Sequence, residues 1–451
     1  MAETVAFFGT LAHSVSLAEP FRVLQDYLIA VQGRKIVILE GAEDEEAARG
    51  ILRHNGLQAD NLQVLEEDEF LMPGLVDTHI HASQLVNIGI GYHLTLLDWL
   101  NNITFQKESQ FSDIEYARVA YEKAVRRTLK NGTTTASYFA TIHVEASLIL
   151  AEIMEKYGQR GFVGKVCMDK SHPDYYGETT VESITNTRRF IETIRERYAD
   201  DGLIEACITP RFAVSCSDSL MSQLGILARE YDTPIQTHMS ENFREIEDVL
   251  SSHPGVEEYV DVYEKAGLLT DRTILAHCVH SGEKELTTIK KYDCGIAHCS
   301  NSNTTIRSGA MDARKVLKHG VKLGLGTDVS GGYNPSILDS IRKSTEVSKL
   351  ISLIKGDYCN RPNEKEIPVD YRVAFFLATL GGAEVMGLQD RIGNLEKGKE
   401  FDALRVKVGV EDGPIDSFGS RDSDSLIQAF LYCGDDRNIT EIYVAGRRIQ
   451  F

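Results

Sequence analysis

The closely spaced pair His79 and His81 most constrains what this chain can fold into and do. The pair ends an apolar run, 71–78, of the kind that forms a buried strand. Residues two apart on a strand point to the same face, so both imidazoles project together from the strand's carboxyl end. Alone, the pair could be two core histidines. In a barrel of parallel strands, that end lines the mouth, where two imidazoles would bind a divalent metal ion.

Composition and charge narrow the classes of protein to which this chain could belong. Hydrophobic residues make up 42% of its 451 residues, which is enough for a large core and too many for disorder. Acidic residues outnumber basic ones by 67 to 48, so a nucleic-acid backbone would be repelled. No apolar run approaches the ~20 residues of a membrane-spanning helix. We therefore expect a soluble protein with a small-molecule substrate, no nucleic-acid partner and no membrane.

The cysteines and the first residues indicate a compartment. None of the eight cysteines forms a C-x-x-C pair, and several lie in apolar runs, where a thiol behaves as a small hydrophobic side chain. The first six residues contain neither a basic segment nor a long apolar stretch, so no signal peptide is visible. We expect a reduced, cytoplasmic protein.

Apolar strand segments recur through the middle of the chain, separated by helical patterns such as 114–130. This alternation predicts parallel strands, because parallel neighbours need a long crossover between them. An open doubly wound sheet would carry a glycine-rich phosphate loop after its first strand, and none is present. We therefore predict a (β/α)8 barrel. Its eight strands are 71–81, 133–139, 162–168, 203–212, 234–240, 273–279, 295–299 and 321–328.

Both ends of the chain contain short strand patterns of a different kind. The N-terminal ones are 4–8, 27–31 and 35–39, and the C-terminal ones are 401–406 and 442–449. Strand sets at both ends predict one small β-sandwich domain built from the two termini. The expected division is 1–70 and 392–451 for this domain and 71–391 for the barrel.

Metal-type residues collect at the carboxyl ends of the predicted barrel strands, where barrels place their active sites. His79, His81, His238 and Asp328 form the expected ligand set. Such donors with one open position suit Zn²⁺, which lowers the pKa of a bound water to near ~7. His277 would face the attacking water, although it could instead replace Asp328 as a ligand.

Glu241 lies three residues beyond His238, past the predicted strand end. A carboxylic acid in this position can carry protons between a bound water and a substrate nitrogen. We therefore assign the catalytic roles to Glu241, His277 and Asp328. A surface loop charge is the alternative reading of Glu241.

Several motifs together give the chain a family resemblance. The run 71–84, LMPGLVDTHIHASQ, resembles the opening of the amidohydrolase superfamily barrel, and within it of the branch that deaminates guanine. The segments 131–136, 138–143, 209–212, 238–241 and 323–329 are also similar, and 393–403 resembles the return from barrel to β domain. The likeness spans nearly the whole chain.

The resemblance implies zinc-dependent hydrolysis of guanine to xanthine and ammonia, with one Zn²⁺ per subunit of a homodimer. The alternatives are a related aminohydrolase acting on a pterin, a triazine or an adenosine-type compound, and a non-catalytic scaffold. Lys165 could indicate a carboxylated lysine between two metal ions, but strand 203–212 has no lysine and we favour one ion. The implied substrate-binding residues are His81, Ala82, Ser83, Gln84, Arg211, Phe212, His238, Glu241 and Asp328.

Overall fold

The computed structural model describes residues 4–356, 368–416, 418–419 and 421–451. Its strands are β1 Thr4–His13, β2 Arg22–Gln32, β3 Lys35–Gly41, β4 Leu62–Val64, β5 Glu69–Pro73, β6 Leu75–His81, β7 Thr133–Phe139, β8 Arg160–Gly164, β9 Val166–Cys167, β10 Ile204–Ala206, β11 Thr209–Pro210, β12 Ile235–Met239, β13 Thr273–His277, β14 Gly295–His298, β15 Lys322–Leu325, β16 Ala403–Lys407, β17 Ile439–Val444 and β18 Arg447–Arg448.

The helices lie mainly between the middle strands. They are α1 Glu45–His54, α2 Leu96–Trp99, α3 Phe105–Glu108, α4 Ile114–Lys130, α5 Val144–Tyr157, α6 Thr180–Tyr198, α7 Asp218–Tyr231, α8 Phe243–Ser252, α9 Tyr259–Ala266, α10 Glu283–Lys291, α11 Ser300–Thr305, α12 Ala313–Lys318, α13 Ile337–Ile354, α14 Tyr371–Ala378, α15 Leu380–Val385 and α16 Ser423–Cys433. Within the described ranges, no helix is both long and apolar enough to cross a bilayer.

The middle of the chain forms the predicted (β/α)8 barrel, and each of the eight predicted segments contains a strand. Strands β6, β7, β8 and β10 pair in parallel, and β12 to β15 form a second parallel run. A parallel bridge between Ile208 and Ile235 joins the two runs on one side. On the other side, the Asp328 N–H donates to the His79 carbonyl at 2.9 Å. The last strand is thereby brought against the first.

Helix α4 shows how the sequence sets the elements around the barrel. Asp113 begins it, since its carboxylate accepts hydrogen bonds from the N–H groups of Glu115 and Tyr116 and so satisfies two donors of the first turn. The buried face contains Ala117, Tyr121 and other residues at helical spacing. The predicted helix 114–130 is confirmed with both ends in place.

The amino ends of the barrel strands are filled by apolar side chains. Val76, Phe162 and Ile274 form one cluster with Ala383 and Val385 of the α15 region. Interior layers of this kind make the barrel a packed core and not a pore. Access to a site inside the barrel is therefore from the carboxyl ends.

The two termini build one sheet, in the order β18-β17-β16-β5-β1-β2-β3, with β4 paired to β1. Near its far edge the Ile36 N–H donates to the Lys399 carbonyl at 2.9 Å, so the sheet curls until its two halves face each other. Phe7, Phe401 and Tyr443 pack between the halves, with the Phe7 and Tyr443 ring centroids 5.8 Å apart. Strand β5 of this sheet spans the predicted domain boundary at residue 70. The division of the chain into domains stays a prediction.

Arg160, the first residue of β8, joins the barrel to the terminal sheet. It is 1% exposed, and its guanidinium donates to Asp402 at 2.8 Å and to Glu400 at 2.6 Å. Asp402 also accepts from the Ala445 N–H at 2.7 Å. A bidentate guanidinium contact of this kind fixes orientation as well as distance. The C-terminal strands are thereby held against the bottom of the barrel.

Replacing Arg160 with Met should lower the free energy of unfolding by about 3–5 kcal/mol, because buried Asp402 would lose its guanidinium partner and Glu400 would keep only its more exposed partners, Arg391 and Lys35. Chemical denaturation at neutral pH measures the difference. Arg22→Met is the control, since it breaks an exposed pair with Glu19 and should change little. Equal denaturation midpoints for wild type and the Arg160 variant would contradict this account of the junction.

Candidate active site

Five predicted side chains meet at the carboxyl ends of the barrel strands. His79 and His81 come from β6, His238 from β12, His277 from β13, and Asp328 from the turn after β15. All five are buried, the most exposed being His238 at 9%. Residues as much as 249 positions apart in sequence thus share one water-poor space.

The backbone is strained where these side chains leave the strands. His277 has φ 73° and Asp328 has φ 46°, in the left-handed region that residues other than glycine seldom adopt. Each such residue costs on the order of 1–3 kcal/mol, and such outliers cluster at functional sites. Gly326 allows the close approach of the last strand, since a Cβ there would lie 3.0 Å from the His79 Cβ. The fold tolerates this strain at the positions that aim His277 and Asp328 inward.

The donor atoms of the cluster lie close enough to share one ion. His81 Nε2 is 3.1 Å from His238 Nε2, and His79 Nε2 is 3.0 Å from Asp328 Oδ1. One atom from each of His79, His238, His277 and Asp328 lies within 4.8 Å of the others. His81 Nε2 joins the set at 3.4 Å from Asp328 Oδ1.

The imidazoles are held in the neutral form that metal binding requires. Burial lowers the pKa of His81 to about 4 and that of His238 well below its ordinary value. The Arg211 carbonyl accepts from His238 Nδ1 at 2.6 Å, so His238 Nε2 presents its lone pair to the cluster. The Nε2 atoms of His79 and His277 are buried without a hydrogen-bond partner among the described residues. These inward lone pairs fit a bound cation.

Glu241 lies beside the cluster with its two oxygens in different surroundings. Oε1 accepts from the Ser308 hydroxyl at 2.9 Å, whereas Oε2 lies 3.5 Å from His277 Nε2. The backbone N–H of Glu241 donates a hydrogen bond to Glu245 Oε2 at 2.9 Å. Burial, and then the negative charge of Asp328, raise the pKa of Glu241 to about 8. A carboxyl group with a pKa near neutrality can both accept and release a proton at the working pH.

The predicted substrate-binding residues Gln84, Arg211 and Phe212 lie around the same cavity. The Ser330 N–H donates to Gln84 Oε1 at 3.1 Å, which sets the orientation of the carboxamide. The Phe212 ring lies 6.2 Å from the His238 ring. Apolar side chains complete the wall: Leu96, Trp99, Leu100 and Ile306.

Ala82 and Ser83 occupy a different place from the other predicted substrate-binding residues. They begin the 3-10 turn Ala82–Asn87, which follows β6 directly. The Ser83 hydroxyl donates to the Ala140 carbonyl at 3.1 Å. Both residues thus seat the turn that carries Gln84.

Lys165 does not reach the cluster. Its ammonium group pairs with Glu178 and lies 3.4 Å from the Ser183 hydroxyl. The lysine considered as a bridge between two metal ions is therefore used elsewhere, which favours a site for one ion.

Sequence reasoning missed several residues of the site. Asp77 accepts from the Thr327 hydroxyl at 2.6 Å and so ties the first barrel strand to the last; its place two residues before His79 could have indicated this. Glu108, Ser308 and Trp99 stand in segments with no motif of their own. Only the folded chain brings Trp99 to the cavity wall, Glu108 to Arg211 and Ser308 to Glu241.

Comparisons with known proteins agree along the whole chain. A family model described as the amidohydrolase family matches residues 70–449. Guanine deaminase of Rattus norvegicus is 46% identical over 98% of this chain and 96% of its own length. The Escherichia coli guanine deaminase is 34% identical over 98% of this chain and 94% of its own.

A solved structure gives the same result for the fold. It is a guanine deaminase from C. acetobutylicum with guanine bound in its active site. It covers 99% of this chain and 100% of its own, with 33% identity and a TM-score of 0.88. The match spans both the barrel and the terminal sheet, and with the family model it shows that this chain belongs to the amidohydrolase family.

Proposed function

We propose that this chain is a guanine deaminase, which hydrolyses guanine to xanthine and ammonia. One observation carries the proposal: a cluster of metal-type donors and a base-reading pair, Arg211 and Gln84, line a single buried cavity. Near full-length similarity to guanine deaminases supports it. The donor cluster suits hydrolysis, and the pair suits the polar edge of a purine.

His79, His81, His238 and Asp328 would hold one zinc ion per chain. The 3.1 Å approach of two imidazole nitrogens is the main reason for including His81 and His238 together. When bound, zinc supplies Lewis acidity and lowers the pKa of a coordinated water toward ~7. His277 is left as a partner of the reacting groups, because its Nε2 lies nearer to Glu241 than to Asp328.

The polar edge of the guanine base would form hydrogen bonds with side chains of the cavity, and the two faces of its ring would contact aromatic side chains. The Arg211 guanidinium keeps N–H donors that Glu108 does not take, and these suit acceptors such as O6 and N7 of guanine. Gln84 offers both a donor and an acceptor, as a lactam edge requires. Phe212 and Trp99 offer aromatic surface against the ring.

Protons would move through Glu241 and Asp328 while one water is consumed. The water oxygen bonds to C2, and Glu241 delivers the first proton to ring N3. Asp328 takes the second proton and passes it to the exocyclic nitrogen, the bond from C2 to that nitrogen breaks, and ammonia leaves. His277 stabilises the charge that develops on the oxygen. Since Ser308 occupies Oε1 of Glu241, Oε2 is the oxygen that would hold the travelling proton.

We further propose that the enzyme acts in guanine breakdown, in the cytoplasm and as a homodimer. Six cysteines are buried as thiols, which suits a reducing compartment: Cys167, Cys207, Cys216, Cys278, Cys294 and Cys299. The homodimer follows from the family resemblance, and light scattering of the purified protein tests it.

Replacing Glu241 with Gln should lower kcat for guanine at least about 100-fold, because acid–base groups supply about 10²–10⁴-fold. Ammonia release measures turnover, and elemental analysis should show an unchanged metal content. Glu247→Gln, on the exposed face of α8, is the matched control. If the Glu241 variant keeps more than about a tenth of the wild-type rate, the proton-carrying role is wrong.

Removal of the metal should abolish activity, and added Zn²⁺ should restore it. His81→Ala should bind less than one zinc per chain, because one ligand of the set is gone. His319→Ala is the control, since His319 pairs with Glu283 outside the site. A chelated, folded protein with full activity would exclude the proposed site.

Replacing Arg211 with Lys should lower kcat/KM for guanine about 100-fold, since lysine keeps the charge but loses the planar fork. Metal content should stay at the wild-type value. Ammonia release from guanine, adenine and cytosine is compared for both proteins. Undiminished turnover of guanine by the variant would contradict the role of Arg211 in reading the base.

A further inference from the structure

Glu108 is a fully buried carboxylate at the end of α3, outside the set of residues predicted from the sequence. Arg211 donates to both of its oxygens, with Nη1 to Oε2 at 2.6 Å and Nη2 to Oε1 at 3.2 Å. Gln84 Nε2 donates to Oε1 at 2.9 Å, and the Tyr176 hydroxyl donates to Oε2 at 2.8 Å. Each carboxylate oxygen thus accepts two hydrogen bonds.

These contacts fix Arg211 in two directions. The paired hydrogen bonds from Nη1 and Nη2 hold the guanidinium against the carboxylate. The Phe105 ring lies against its face, 5.0 Å from the guanidinium carbon. Nη1 and Nη2 each have a second N–H that Glu108 does not use. The direction of these remaining donors is therefore set before any base enters.

Gln84 is fixed at both ends of its carboxamide. Its nitrogen donates to Glu108, and its oxygen accepts from the Ser330 N–H. One N–H and one lone pair remain for a substrate. Because a carboxylate only accepts, Glu108 also decides that the nitrogen end of the carboxamide faces it.

Glu108 has the charge that this arrangement requires. Burial opposes ionisation, but Arg211 and the hydrogen bonds more than compensate, and the pKa of Glu108 lies below its usual value. A buried guanidinium without this partner would carry an uncompensated charge. Glu108 thus supports both the position and the burial of Arg211.

We infer that Glu108 is a positioning residue for base recognition, which holds Arg211 and Gln84 in one shared orientation before the substrate binds. This inference rests on the proposed function and extends it to a side chain that acts through two others. The segment that carries Glu108 also supplies Leu96, Trp99 and Leu100 of the cavity wall. Selection of an oxopurine would therefore depend on how the segment 96–108 packs against the barrel.

The test compares Glu108→Gln, Arg211→Gln and the double variant with wild type. Hypoxanthine is the binding probe, because it keeps the 6-oxo edge but lacks the 2-amino group that is hydrolysed. Glu108→Gln should weaken hypoxanthine binding and raise KM for guanine by about 100-fold, with a smaller change in kcat. The double variant should lose less hypoxanthine affinity than the two single losses added together, because much of the effect of Glu108 passes through Arg211.

A purely structural role would give a different pattern. Glu400→Gln is the matched control, since it also removes a carboxylate from a buried arginine pair but lies at the base of the barrel. It should lower the melting temperature and leave hypoxanthine binding unchanged. Wild-type hypoxanthine affinity in folded Glu108→Gln, or additive losses in the double variant, would overturn the inference.

A second variant keeps the inference testable if the first one does not fold. If Glu108→Gln does not fold, Glu108→Asp keeps the charge with a shorter reach and should still weaken hypoxanthine binding about 10-fold. Unchanged binding in Glu108→Asp would then overturn the inference.

Wild-type measurements then distinguish the inference from the proposed function. If wild type binds hypoxanthine in a Glu108-dependent way but releases no ammonia from guanine, the proposed function fails and the inference holds. Wild type that binds no hypoxanthine overturns the inference, whereas ammonia release alone decides the proposed function.

Discussion

Imidazole lone pairs converge on one small buried space, and the rest of the site is arranged around that convergence. His81 and His238 bring their Nε2 atoms to 3.1 Å, with the Asp328 carboxylate beside them. Burial lowers the pKa of both rings, so neither ring takes up a proton near neutral pH. A shared cation would satisfy both nitrogens. The barrel supplies the rigidity that keeps such donors together, including a strained backbone at His277 and Asp328.

The parts of the structure that follow a local pattern were predictable from the sequence. The alternation of apolar runs and helical patterns predicted eight barrel strands, and 133–139 and 114–130 match β7 and α4 at both ends. The run 71–81 is divided by Gly74, whose N–H donates to the Asp402 carbonyl where the chain passes from the terminal sheet into the barrel. That division depends on a residue more than 300 positions away, so no local pattern contains it.

The residues of the site also fall into two groups, those that a local pattern predicts and those that depend on the folded chain. Histidines and Asp328 at strand ends could be predicted to meet, because all parallel strands of a barrel end at one rim. Glu108 and Ser308 could not, because each lies in a connecting segment whose path is set by packing against others. Ser308 reaches Glu241, and Glu108 reaches Arg211, across 67 and 103 positions of sequence. The predicted residues line the cavity, whereas Glu108 and Ser308 form hydrogen bonds with them from connecting segments.

The contact of Arg160 with Glu400 and Asp402 has a consequence for how the chain is made. Domains generally fold as units, from the N-terminus onward, during synthesis. Here the Arg160 guanidinium, at the start of the third barrel strand, has no Glu400 partner until a residue 240 positions later has been translated. Strand β5 likewise has no partner on its β16 side until then. The ribosome must therefore translate past residue 402 before this joint closes, and a nascent chain that stalls earlier would expose this arginine to chaperones and proteases.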